Sequence, residues 1–258
     1  MPLNLTQFIK NKTLIFTVTS DGYKYFTWNL YQFFQKVKPS VPLCILCLDR
    51  ESFDFFNRIA MIPSRPYFME GPHFEHKNPA LFGTTPFKRM NRMKLRALQE
   101  LCENPEINQL LFLDSDIALF RDPLPELTEC LKSAPLWFQC DEAKENDFTC
   151  SDTDNCTNAC TGVIAMNLTE ETRPLFSKLY SIEEGWREAI TDQDYINKRL
   201  HSLSIPYKTL PRTEFPNGVF LRDERYKQNN PALLHFNHIV GMDKKRFMKK
   251  QDSWLLTV

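Results

Sequence analysis

QLLFLDSDIALFRDPLPEL, residues 109–127, carries the strongest fold signal in the chain. The apolar run LLFL stops at Asp114-Ser115-Asp116, resumes as IALF and ends in a proline turn. A short apolar run bounded by polar residues reads as a strand buried on both faces, as in the middle of a parallel sheet. Two carboxylates one residue apart at the end of such a strand are costly unless a cation compensates them. Arg121 reads as too far along the chain and too exposed for that task. A hard divalent ion such as Mn²⁺ or Mg²⁺ suits them better: it takes oxygen ligands, keeps open positions and bridges to phosphate oxygens. A solvated turn is the other reading of the same three letters.

Upstream, TLIFTVT at 13–19 is β-branched and aromatic and ends at Ser20-Asp21-Gly22, a strand opening into a turn. Phe26, Leu30, Phe33, Phe34 and Val37 then recur at helical spacing until Pro39 and Pro42, and VPLCILCLD follows as a second strand. Strand, helix and strand in this order make a right-handed βαβ unit and a parallel sheet. Residues 61–88 carry five prolines and read as a long surface excursion. A helix is expected from Lys88 to Leu101, broken by Asn104-Pro105. Further strands are expected at LWFQ, TGVIAMN, IPYKTLP, NGVFL and ALLHFN, with helices from Glu171 and through DQDYINKRL.

The 258 residues are 42% hydrophobic and 13% aromatic, enough to bury one sizeable core, and one domain is expected across 1–258. Lys plus Arg and Asp plus Glu are balanced at 32 each, so no net field draws the chain to nucleic acid or an anionic membrane. MPLNLTQFIKNK has too few apolar residues for a secretory or anchoring segment, and no later run is long enough to span a bilayer. A soluble, cytoplasmic protein without stable membrane insertion is expected. Eight cysteines then read as reduced thiols, with Cys44 and Cys47 packed in a strand; a zinc site or disulfide among Cys140, Cys150, Cys156 and Cys160 is the alternative.

LLFLDSDIALFRDPLPEL resembles the DxD segment of nucleotide-sugar glycosyltransferases with the type A fold. The nearest resemblance is to the nucleotide-diphospho-sugar transferase family, which includes xylosyl-, arabinosyl- and galactosyltransferases. FTVTSDGYKYFTWNL resembles that family's opening strand and nucleotide-binding turn, KLRAL its helix before the DxD, TGVIAMN its donor-sugar strand, DQDYIN its DQxxxN-like segment, and HFNHIVGMDKK its closing motif. The match spans about residues 13 to 254, with these segments in the family's order. It implies an α/β, Rossmann-like, single-domain fold: a mostly parallel central sheet flanked by helices, with a small antiparallel portion. A nucleotide-binding half is expected at about 13–120 and a half for acceptor and donor sugar at about 121–258.

Carried over by residue, the resemblance implies a metal held by Asp114 and Asp116, with Ser115 near the ribose. His235 is expected as the third ligand because it directly follows a strand; His238 is its rival, and whichever does not ligate packs or hydrogen-bonds. Gly241 lets backbone approach the diphosphate, and Lys244 or Lys245 neutralises it. Thr17, Thr19, Ser20 and Tyr23, or Tyr25, would receive base and ribose, and plain turn chemistry explains the same residues. Lys94 would point toward the donor or be surface charge. Thr161 and Gly162 would line the sugar pocket. Asp192 and Gln193 would lie against the sugar, although Thr191 or Asp192 also reads as a helix cap. Asp141 would bind acceptor or act as base. The implied reaction is metal-dependent transfer from a nucleotide-diphosphate sugar, in the family's habit a UDP-sugar, to a glycan, glycoconjugate or other hydroxyl acceptor. A sugar-nucleotide pyrophosphorylase and a non-catalytic carbohydrate- or nucleotide-binding module are the rival functions.

Overall fold

A computed structural model describes residues 4–68, 79–141, 158–176, 191–222, 224–239 and 241–257. Its frame is a seven-stranded sheet. In chain order its strands are β1 (Thr13–Thr19), β2 (Leu43–Cys47), β3 (Arg65–Pro66), β4 (Gln109–Leu113), β6 (Leu136–Cys140), β7 (Ala159–Asn167) and β8 (Lys208–Thr209). They lie in the order β3-β2-β1-β4-β7-β6-β8. β3, β2, β1 and β4 are mutually parallel, and β7 alone runs against its two neighbours. A separate antiparallel pair joins β5 (Ile117–Leu119) to β9 (Leu233–His235).

The pleat divides the core in two. Leu14, Phe16 and Val18 of β1 pack with Leu95, Leu98, Phe112, Phe138 and Ile196, on the side of α3 (Thr85–Glu103) and α5 (Asp192–Ser202). Ile15 packs with Leu30, Phe33, Ile45 and Leu111, on the side of α1 (Lys24–Val37). This is the period of two expected of a strand buried on both faces. Each such fully buried side chain stabilises the fold by about 1.5–3 kcal/mol. Two short helices, α2 (Arg50–Asp54) and α4 (Leu124–Ser133), and a C-terminal one, α6 (Gly241–Lys250), complete the layers. Among the described residues no helix is long and apolar enough to cross a membrane.

Several expected elements differ. α3 begins three residues before Lys88, because Pro86 is tolerated in a first helical turn. NGVFL forms a 3-10 turn, Gly218–Arg222, instead of a strand; its apolar side chains Phe220 and Leu221 are buried from a turn. After Glu171 only the 3-10 turn Arg173–Leu175 is described. Cys44 and Cys47 are buried free thiols; burial pushes the Cys47 thiol up to about 12, so neither is poised for redox or metal chemistry. The expectation of reduced thiols fails at Cys140, which is disulfide-bonded. Cys160 is free, and Cys150 and Cys156 lie outside the described residues.

Candidate active site

β4 ends at Leu113, and the chain continues through Asp114-Ser115-Asp116 into β5. Pairing of Ile117 with His235 across β5 and β9 sets the histidine beside the aspartates despite their distance in sequence. His235 Nε2 lies 3.6 Å from Asp114 Oδ2 and 3.4 Å from Asp116 Oδ1. One ligand atom from each of the three residues falls within 4.8 Å of the others. The His235 ring is fully enclosed. Its Nδ1 lies 2.8 Å from Gln139 Oε1, while Nε2 has no hydrogen-bond partner. Gln139 donates its own Nε2 to the Phe215 carbonyl at 3.1 Å, so its oxygen must face the ring. A neutral imidazole that donates through Nδ1 presents its lone pair on Nε2, toward the carboxylates. Two carboxylate oxygens and an imidazole nitrogen fit a divalent cation such as Mn²⁺.

Arg121 is not the compensating cation; it pairs with Glu126 and Glu214. The protein instead brings two lysines to the aspartates. Lys94 Nζ, on α3, lies 3.1 Å from Asp114 and 2.8 Å from Asp192, and donates to the Thr161 carbonyl at 2.8 Å. Lys244, on α6, is ion-paired with Asp116. Burial alone would raise both carboxyls; Lys94 together with His235 outweighs it at Asp114, and Lys244 with His235 at Asp116, so both are held below the usual range. Burial would likewise lower His235, but Asp116 and the surrounding hydrogen bonds raise it well above an ordinary histidine.

The two strands beyond β4 shape the opposite wall. Pairing of β6 with β7 slips from Phe138↔Ile164 to Gln139↔Cys160, leaving Thr161, Gly162 and Val163 out of register with β6. Such bulges re-aim side chains, and Thr161 and Gly162 here line the cleft. Gly162 accepts from the Asp114 amide at 2.8 Å, and a Cβ on it would collide with the His235 ring. Thr161 Oγ1 donates to Asp192 Oδ2 at 2.7 Å. Thr191 caps α5 through the Asp194 amide, which leaves Asp192 free to face the cleft.

Asp141 is a hub. It accepts from Gln193 Nε2 at 2.9 Å, Asn237 Nδ2 at 3.1 Å and Asn217 Nδ2 at 3.4 Å, and lies 2.8 Å from His238 Nε2. Burial would raise its carboxyl, but the bonds from His238 and Gln193 bring it below the usual value.

These groups surround a cleft of about 480 Å³ that also takes in Tyr23, Asn91, Ser115 and the apolar rim Phe82, Phe87 and Met90. His238 lines it on the Asp141 side and is not among the three clustered ligands. Tyr23 donates its hydroxyl to the Ala80 carbonyl at 3.3 Å, and burial followed by the two aspartates raises its phenol. Not every expected residue arrives. Thr17 and Thr19 share the Ile15 face of β1 and point at α1, where Thr19 accepts from Thr27 at 2.8 Å; both are completely enclosed. Ser20 is buried and outside the lining, Gly241 is half-buried and also outside it, and Lys245 lies over Trp254, 5.0 Å from its ring centre. Gln139, Asn158, Asn237 and Asn91 belong to the site without having been singled out in the sequence. For Gln139 a signal existed, a lone amide inside the apolar strand LWFQC.

A cleft beyond the carboxyl ends of parallel strands is where an open α/β sheet binds its ligand, and this one places the protein in the α/β class of ligand-binding proteins. The nucleotide-diphospho-sugar transferase family model matches residues 41–248. The chain belongs to that family. It has the type A glycosyltransferase fold, shared at low identity with solved structures. The galactosyltransferase LgtC, in complex with donor and acceptor sugar analogs, superposes with a TM-score of 0.55 at 14% identity, covering 95% of this chain and 97% of LgtC. Mouse xyloside xylosyltransferase 1 gives 0.51 at 13%, covering 86% and 96%. The glycosyltransferase GlyE of Streptococcus pneumoniae gives 0.51 at 14%, covering 94% and 64%. No curated protein sequence matches significantly.

Proposed function

We propose that this protein is a divalent-cation-dependent glycosyltransferase that moves a sugar from a nucleoside-diphosphate donor, a UDP-sugar in the first instance, to a hydroxyl of a glycan or other acceptor. The observation that carries this is the convergence of Asp114, Asp116 and an unpartnered His235 Nε2 at the floor of the cleft. These three would hold Mn²⁺ or Mg²⁺, which when bound supplies positive charge opposite a diphosphate.

Other roles follow from chemistry already in place. Lys244, paired with Asp116, is the nearer basic residue to neutralise the leaving diphosphate; Lys245 is committed to Trp254. Lys94 has three protein partners and serves to hold Asp114 and Asp192 in fixed relation. Asp192 keeps one carboxylate oxygen for sugar hydroxyls, and Gln193 is held at the cleft by Asp141 and Asn158. A carboxylate that already accepts several hydrogen bonds and titrates low is a poor general base. Asp141 is therefore a positioning residue, which favours retention of anomeric configuration driven by leaving-group departure over inversion.

Incubation with Mn²⁺ and a panel of nucleotide sugars, with and without chelator, tests the reading. Chelator-sensitive donor hydrolysis or transfer supports it, and NMR of the product's anomeric proton reports retention. Binding without turnover points to a non-catalytic module, and donor synthesis from a nucleoside triphosphate to a pyrophosphorylase.

A further inference from the structure

Three residues that line the cleft carry a buried side-chain atom with no hydrogen-bond partner: His235 Nε2, Asn237 Oδ1 and Asn91 Nδ2. The first is answered by a cation. Asn237 also donates to Asp141 and is only partly buried. Asn91 has no such explanation. Only 6% of it is exposed, and a buried amide nitrogen left unpaired is unfavourable unless something else accepts from it.

Its position limits what that acceptor is. Asn91 precedes Lys94 by three residues on α3, so the two side chains leave the same helix face about 5–6 Å apart at Cβ. Lys94 in turn touches Asp192, at the start of α5, and α3 packs against α5. Asn91 thus stands on the Asp192 side of the cleft, where Thr161 and Gln193 also lie. Lys244 and Lys94 supply the positive charge on the aspartates. A neutral donor away from the Asp116–Lys244 pair suits a neutral oxygen that can also give a proton to a carboxylate, which is a sugar hydroxyl.

We infer that Asn91 selects the transferred sugar, its Nδ2 donating to a hydroxyl of that ring while Asp192 accepts from the sugar. This rests on the transferase reading above and names a contact within it.

Calorimetry separates the two. Wild-type protein with Mn²⁺ is titrated with UDP-sugars and, separately, with UDP alone; the ratio of the two affinities isolates the sugar's share. Asn91→Asp keeps the shape and removes the donor, and Asn91→Ala removes both polar atoms. Both variants should bind UDP like wild type and lose about tenfold in affinity for the preferred UDP-sugar, the size of one buried hydrogen bond. A donor analogue lacking the contacted hydroxyl should bind wild type and variants equally. Parallel losses for UDP and UDP-sugar, or no loss for either in a variant that melts like wild type, overturn the assignment of Asn91 and leave the transferase reading standing. Failure of the wild type to bind any sugar nucleotide overturns both.

Discussion

Replacing Gln139 with leucine tests how the cation site is prepared. In the native chain the Phe215 carbonyl takes the Gln139 amide nitrogen, so the amide oxygen faces His235 Nδ1 at 2.8 Å. An oxygen there only accepts, which holds a proton on Nδ1, so that the ring, once neutral, offers its metal-binding lone pair on Nε2. Leucine fills similar space and removes both interactions. Losing the partner that orients a ligating histidine costs about 10–100-fold in metal affinity, or about 1.4–2.7 kcal/mol. Stability also falls, because two buried polar groups lose their partner at about 1–3 kcal/mol each. Titration of the folded variant with Mn²⁺ by calorimetry, beside a thermal melt, reads the two effects separately. Gln139→Glu restores an acceptor to Nδ1 and should recover metal affinity. A folded Gln139→Leu protein that binds Mn²⁺ as tightly as wild type would refute the orienting role.

His235 is raised well above an ordinary histidine while Asp114 and Asp116 are lowered, so without a metal a proton on Nε2 is favoured over a wider pH range than usual. Cation binding must then displace the Nε2 proton, so Mn²⁺ affinity should climb with pH by up to about tenfold per unit below the His235 value and level off above it. Calorimetry in two buffers of different ionisation enthalpy should find a proton released, and finding none would contradict this. Lys94→Met leaves Asp192, with only 9% of its side chain exposed, and Asp114 short of a cation; urea melts should show a loss of about 3–5 kcal/mol. Gly162→Ala pushes a methyl into the His235 ring and should cost about 1–3 kcal/mol, with Mn²⁺ binding lost out of proportion to stability.

The parallel βαβ start, the buried strand ending at Asp114 and the helix carrying Lys94 were legible in the chain because each rests on a local signal. β-branched and aromatic content over 13–19, helical spacing after Tyr25 and the stops at Pro39 and Pro105 need no distant partner. Sidedness and register did need one. Thr17 and Thr19 looked suited to a nucleotide, but which face of β1 meets α1 depends on the packed sheet. The choice between His235 and His238 hung on the pairing of β9 with β5, and that between Lys244 and Lys245 on where α6 meets Asp116 and Trp254. Gln139 and Asn91 carry no motif, and each acquires meaning only from what folding sets opposite it; Asn237 falls in the closing motif, but its tie to Asp141 appears only in the fold. Local propensity reaches a few residues along the backbone, whereas a site assembled from α3, the end of β4, β7, α5, β9 and α6 is specified by contacts between segments far apart in the chain.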